Sequence, residues 1–118
     1  RNTIINNQFG IELWFTSSNN IISENNMINN FNDIIIWLEG EGNIIDRNYW
    51  SKYDGTDNNG DGIGDTPHIF FENYQDHNPL MKIVVIPEFP SWIILPLFIV
   101  ASLVGIVARN KIRKKEID

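Results

Sequence analysis

The stretch NTIINNQFGI at residues 2–11 decides the fold, because it recurs 23 residues later as NNMINNFNDI at residues 25–34. The match continues downstream, where Asn20-Ile-Ile aligns with Asn43-Ile-Ile. A fixed period of this length is typical of proteins that stack one small structural unit on the next. The sequence therefore predicts two or more copies of a short unit, packed in register.

Alternating apolar residues predict that each unit is built from short β-strands. Ile11 and Leu13 alternate with polar or small residues, and Ile34 and Ile36 occupy the matching positions. Three strands with tight turns fit into 23 residues, whereas two helices fit poorly. Asn at the turns tolerates left-handed backbone and can stack along the repeat axis. Two ladders of Asn side chains are expected: Asn2, Asn25 and Asn48 in one, and Asn20 and Asn43 in the other.

The N-x-I-I-x-x-N units and the following Asn48-Tyr-Trp-Ser resemble the right-handed parallel β-helix repeats of NosD-like, carbohydrate-binding-and-hydrolase-type surface proteins. The resemblance covers about residues 2–82. It implies an all-β fold class, with the last turns of a right-handed parallel β-helix. Together with the loop and the C-terminal segment described below, the expected fold is these turns closed by a calcium-loop end-cap and followed by one C-terminal transmembrane α-helix. Two copies bury too little to be stable alone, so further copies are expected ahead of Arg1.

An Asp-rich loop carries the clearest chemical pattern in the chain. Residues 57–65 read D-x-N-x-D-G-x-x-D, which supplies oxygen ligands at the alternating positions that calcium loops use. Gly62 falls where such a loop turns sharply, and position 12 is His68 instead of the usual Glu. The expected ligands of a structural Ca²⁺ are Asp57, Asn59, Asp61, the Ile63 main-chain carbonyl and Asp65, with Asp54 and Asp76 as further candidates. The loop resembles those of dockerins and thrombospondin type 3 repeats; the alternative is a solvated acidic turn.

The C-terminal segment predicts a membrane anchor. Residues 92–108 carry no charge, and the basic tail at residues 109–118 follows directly. An acidic body, an apolar run and a basic tail indicate a single-pass protein of the cell surface, with an extracellular body and a cytoplasmic C-terminus. Its expected partner is the lipid bilayer, and the alternative is a buried helix of a soluble domain.

A short motif precedes this segment. Pro87, Glu88 and Phe89 resemble the PEF-type C-terminal sorting signals of archaeal surface proteins. The resemblance implies that a sorting transpeptidase of the archaeosortase kind cleaves here and replaces the helix by a lipid. The alternative is a stiff spacer that holds the body away from the membrane.

Composition divides the chain and limits its partners. Residues 1–91 carry four Lys or Arg and thirteen Asp or Glu, whereas residues 92–118 carry five and two. The acidic body excludes nucleic acid as a partner, since phosphates require a basic surface. The predicted divisions are 1–50 repeat, 51–82 calcium-loop cap, 83–91 spacer, 92–108 helix and 109–118 tail.

The expected function is binding, adhesion or display rather than catalysis. Trp14 and Trp37 occupy equivalent outward positions and could form an aromatic platform for the sugar rings of a polysaccharide; the alternative is packing against the cap or upstream residues. Glu12 lacks a carboxylate partner, because Ile35 stands at the equivalent position. Two other functions stay open: the end of a polysaccharide-processing enzyme with its active site upstream, and copper handling of the NosD kind.

Overall fold

The computed structural model describes residues 1–38, 40–87 and 91–117, with the side chains of the helix described over residues 99–115. The chain divides into two compact units, Arg1–Ile86 and a second unit that begins at Pro87. The elements, in chain order, are β1 (Thr3–Ile5), β2 (Phe9–Leu13), β3 (Ile21–Ser23), β4 (Asn26–Ile28), β5 (Asn32–Ile36), β6 (Ile44–Asp46), β7 (Tyr49–Trp50), β8 (His68–Phe71), β9 (Tyr74–Asp76) and α1 (Ser91–Ile117).

The first seven strands form three small parallel sheets, in the orders β1-β4-β7, β2-β5 and β3-β6. Thr3 pairs with Asn26, and Ile22 pairs with Ile45. Every parallel pair among these seven strands joins residues 23 positions apart, so the period of the sequence is the register of the strands. Parallel strands need a crossover between them, and here the rest of each 23-residue unit provides it.

The corners between strands repeat with the same period. Asn6 and Asn29 both have a left-handed backbone, with φ of 58° and 51°. Asn19 and Gly42 form another such pair, with φ of 59° and 73°. Asn and Gly adopt this conformation at low cost, which explains their place at these positions.

Asn side chains join consecutive units, and both predicted ladders are confirmed. The Asn25 side-chain oxygen accepts hydrogen bonds from the main-chain N–H of Asn2 at 2.9 Å and from its side-chain amide at 3.3 Å. Asn48 binds Asn25 in the same way, at 3.0 and 3.1 Å, and Asn43 binds Asn20 at 3.0 Å for both bonds. A third ladder of Asn7 and Asn30, which was not predicted, has the same geometry.

The longest ladder ends on a carboxylate. Asp76 is 0% exposed, and its Oδ2 accepts the main-chain N–H of Asn48 at 2.8 Å, as Asn48 itself does for Asn25. The same oxygen accepts the indole N–H of Trp50 at 2.9 Å. Its Oδ1 accepts the main-chain N–H groups of Arg47 at 3.0 Å and Asn78 at 2.9 Å. Four donors therefore satisfy one buried anion, which holds β9 against the last parallel unit.

The apolar core inside the parallel sheets is small. Its buried members are Leu13, Ile22, Met27, Ile34 and Trp50, and half-buried Ile, Tyr and Phe side chains surround them. Burying such a side chain contributes about 1.5–3 kcal/mol, so these residues supply a modest driving force. Because this core is small, the register of the strands depends largely on the hydrogen-bonded ladders.

The chain after Trp50 closes the last parallel unit. β8 and β9 form an antiparallel pair, and the segment that follows returns to the parallel strands. There the main-chain N–H of Leu80 donates to the Asn48 carbonyl at 2.9 Å, and Leu80 bridges Tyr49 in the parallel sense. Leu80 thus lies against β7, the outer strand of the β1-β4-β7 sheet.

The fold-class prediction is wrong as stated. In the residues that the structure describes, the strands form three parallel sheets of two or three strands each and one antiparallel pair, without an extended β-helix solenoid. The apolar alternation in the sequence continues to Phe15 and Leu38, but the observed strands β2 and β5 end before these residues, and both side chains are exposed.

The membrane-anchor prediction is wrong as well. Over the described residues, the structure contains no helix with the length and apolar character needed to cross a bilayer. A single-pass transmembrane protein with a cytoplasmic tail is therefore not supported.

Candidate functional site

The Asp-rich loop is ordered by hydrogen bonds from its own main chain. Asp57 accepts the N–H of Gly60 at 2.8 Å and that of Asp61 at 3.2 Å on one oxygen, and that of Gly62 at 2.9 Å on the other. Gly60 and Gly62 have φ of 72° and 84°, which is why glycine stands at both positions. Asp57 therefore organises the first half of the loop.

Three of the remaining predicted ligands also accept hydrogen bonds from main-chain N–H groups of the loop. The side-chain oxygen of Asn59 accepts the N–H of Asp61 at 3.1 Å, and Asp61 accepts that of Ile63 at 2.9 Å. Asp65 accepts the N–H of Asn58 at 2.9 Å, so its carboxylate faces the start of the loop. The loop is thus folded by contacts between its own acids and its own backbone.

The loop is also hydrogen-bonded to residues 79–81, the closing segment that lies against the last parallel unit. The N–H of Met81 donates to the Gly62 carbonyl at 3.0 Å, and the N–H of Gly64 donates to the Pro79 carbonyl at 2.8 Å. Ile63, whose carbonyl was predicted as a ligand, forms an antiparallel bridge with Leu80. The conformation of the loop is therefore coupled, through these hydrogen bonds, to the segment that closes the parallel strands.

A preformed metal site is not found. Among the described residues, no group of three or more His, Cys, Asp or Glu side chains is arranged to hold a metal ion. Asp76, a further candidate ligand, is instead committed to its four donors at the end of the Asn ladder. Asp54 contributes its charge to the surroundings of His68. Calcium binding by the loop stays a prediction.

The two predicted platform residues do come together. Trp14 and Trp37 stack with ring centroids 5.1 Å apart and an interplanar angle of 27°. Each ring is half exposed, at 50% and 51%. The indole N–H of Trp37 donates to the carboxylate of Glu12 at 2.9 Å, which fixes the ring orientation. Phe15 lies 5.8 Å from Trp14 and extends the same apolar surface.

A second aromatic cluster, which was not predicted, lies inside the unit. Trp50 stacks on Phe70 with centroids 5.1 Å apart and an interplanar angle of 4°, and its other neighbour is His68 at 4.9 Å. Tyr53 meets the His68 ring edge-on at 5.8 Å. Burial lowers the pKa of His68, and the carboxylates of Asp33 and Asp76 oppose that shift only in part.

The predicted sorting motif lies at the edge of the described residues. Pro87 is included, whereas Glu88 and Phe89 lie outside them, so the motif stays a prediction. His68, at position 12 of the predicted calcium loop, is packed in the aromatic cluster.

Comparisons with protein-family models, curated proteins and solved structures each gave no match for this chain. The resemblances to NosD-like proteins, to dockerin-like loops and to PEF-type signals therefore remain predictions from the sequence.

The lowered pKa of His68 predicts a loss of stability in acid. The folded state binds a proton on this ring less readily than the unfolded chain, whose His titrates near pH 6.5. Stability should therefore begin to fall as the pH drops below about 6.5, and this contribution should stop changing below the folded pKa. Urea unfolding between pH 7.5 and 5 measures the effect. His68→Gln should flatten the dependence, and the same substitution at exposed His77 should leave it in place; equal curves for both variants would contradict the assignment.

Proposed function

We propose that this chain is a non-catalytic binding module that contacts a polysaccharide through the stacked rings of Trp14 and Trp37. The observation that carries the proposal is the exposure of this ring pair, since large aromatic side chains left in water at one place mark interaction surfaces. Phe15, at 68% exposure, enlarges the patch.

The geometry of the pair suits a sugar ring. The negative face of an aromatic ring attracts C–H groups, and the C–H face of a sugar offers several of them. Glu12 lies beside Trp37, where its carboxylate can accept a hydroxyl hydrogen bond at the edge of the platform. Because the two rings hold each other and Glu12 holds one of them, little side-chain freedom is lost on binding.

Register explains why this surface is proposed for binding and not for hydrolysis. Glu12 of β2 lies opposite Ile35 of β5, so this strand pair does not bring a second carboxylate beside it. Glycoside hydrolysis usually requires two carboxyl groups, one as acid and the other as base or nucleophile. The platform therefore supports recognition of a polysaccharide without its cleavage.

We further propose that a calcium ion is bound by the loop at residues 57–65 and stabilises the closing segment. Residues 53–81 contain six Asp or Glu and no Lys or Arg, so their charge is balanced by no cationic side chain of that stretch. Binding would exchange some internal hydrogen bonds of Asp57, Asp61 and Asp65 for metal–oxygen bonds. Because the Met81 N–H donates a hydrogen bond to the Gly62 carbonyl, stabilising the loop would also stabilise the closing segment.

Trp37→Ala should weaken polysaccharide binding by tenfold or more, because it removes one ring and frees Glu12. Affinity electrophoresis in gels containing neutral glucan, mannan or xylan measures the effect. Phe31→Ala removes an aromatic ring of 73% exposure elsewhere on the same unit and serves as the control. Retention of the intact chain by none of the gels, or equal retention of Trp37→Ala and the intact chain, would contradict the proposal.

Millimolar calcium should raise the unfolding temperature of the intact chain relative to chelator. At a concentration ten times the Kd the gain is about 1.4 kcal/mol, which corresponds to roughly 5–10 °C for a unit of this size. Differential scanning calorimetry measures it. Asp61→Asn should abolish most of the gain, whereas Glu72→Gln, which removes an exposed charge from the same segment, should preserve it. Identical melting in calcium and chelator would sink the calcium proposal and leave the platform untouched.

A further inference from the structure

A groove of about 630 Å³ lies between β6 with its preceding loop and the β8–β9 hairpin. Its volume falls within the range of about 300–1,000 Å³ that is usual for small-molecule sites. β6 is hydrogen-bonded only to β3 and β9 only to β8 within the described sheets, so the groove separates two unpaired strand edges. One end is closed by the hydrogen bond from the Asn78 amide to Asp46 at 2.9 Å.

The walls of the groove combine rigid apolar surface with free polar groups. Phe70 is held parallel to Trp50, and Tyr74 stacks on Phe71 with centroids 6.3 Å apart, so both lining rings are fixed before a ligand arrives. Ile36 and Ile45 add aliphatic surface. Such a preformed wall favours a ligand with one flat apolar face.

The polar groups of the groove are amides, carboxylates and the imidazole of His77. Gln75 is half-buried, and its side-chain amide makes no hydrogen bond within the described residues. Asp46 has one oxygen engaged by Asn78, which leaves its second oxygen available as an acceptor. Glu41 adds another acceptor at the rim. The site therefore offers both donors and acceptors to a ligand, with more acceptors than donors.

This lining excludes several ligand classes. The residues that form the groove include neither Lys nor Arg, the usual partners of phosphate and carboxylate ligands, and Glu41 and Asp46 repel anions. A purely apolar ligand would desolvate the Gln75 amide and the second oxygen of Asp46 without giving either a partner, which is costly. The edges of β6 and β9 are three residues each, too short for extensive pairing with a peptide strand.

We infer that this groove binds a neutral sugar residue, with the ring on Phe70 and Tyr74 and its hydroxyls on Gln75 and Asp46. A neutral sugar has the flat C–H face, the hydroxyl donors and the absence of charge that the lining requires. The site shares its ligand class with the proposed platform, but it is formed by different residues and does not depend on Trp14 or Trp37.

The experiment is an NMR titration of the intact chain with a neutral hexasaccharide, either cellohexaose, mannohexaose or xylohexaose, and in parallel with hexagalacturonate. Binding in the groove should shift the side-chain amide resonances of Gln75, and Gln75→Ala should weaken that binding by about five- to tenfold. Gln8→Ala is the matched control, because Gln8 is exposed and remote in sequence from the groove. Hexagalacturonate should not shift the resonances of the groove residues.

The outcomes separate the two proposed sites. Loss of hexasaccharide binding in Trp37→Ala alone, with Gln75 unshifted and Gln75→Ala unaffected, would overturn the groove and keep the platform. Shifts at Gln75 that persist in Trp37→Ala would support the groove whether or not the platform exists. Equal shifts with hexagalacturonate, or no shift with any of the neutral sugars, would overturn the inference.

Discussion

One buried carboxylate determines how the β8–β9 hairpin closes the last unit of the parallel strands. Asp76 accepts four hydrogen bonds, and one of them continues the Asn2–Asn25–Asn48 ladder in the place where a further Asn would stand. Burying an anion without a cationic partner is costly unless its oxygens are fully hydrogen-bonded, and here they are. The hairpin, the aromatic cluster around Trp50 and the last parallel unit all meet at this side chain.

The candidate sites follow from this arrangement. The groove exists because Asp76 holds β9 near β6 while leaving both strand edges unpaired. The Trp14–Trp37 pair exists because the register places residues 23 apart one above the other, and the ladders hold that register. Since the apolar core has few members, weakening a ladder should disturb the sites more than it would in a protein with a larger core.

The features that could be predicted from sequence are those that repeat. The 23-residue register, two of the Asn ladders and the pairing of Trp14 with Trp37 follow from equivalent positions in two copies. The ladder of Asn7 and Asn30 obeys the same rule and was overlooked, although its signal was present in the repeat.

The features that were missed depend on contacts that do not repeat. Asp76 was considered a calcium ligand because it follows an acidic loop, but three of its four partners lie 26 to 29 residues upstream. The groove is likewise formed by two segments about 30 residues apart, so no local pattern marks it. The membrane prediction rested on the uncharged run at residues 92–108 and the basic tail after it, but no helix of the described residues is long and apolar enough to cross a bilayer.

The central claim is that Asp76 fixes the closure of the parallel strands, and urea unfolding of Asp76→Ala tests it most directly. The substitution leaves the donors of Arg47, Asn48 and Trp50 without an acceptor, so the free energy of unfolding should fall by about 3 kcal/mol or more. The reference is Asp65→Ala, which also removes a carboxylate that accepts a main-chain N–H, that of Asn58, but from an exposed position. A large loss at Asp76 beside a small one at Asp65 is predicted; an Asp76→Ala protein as stable as the intact chain would contradict the account.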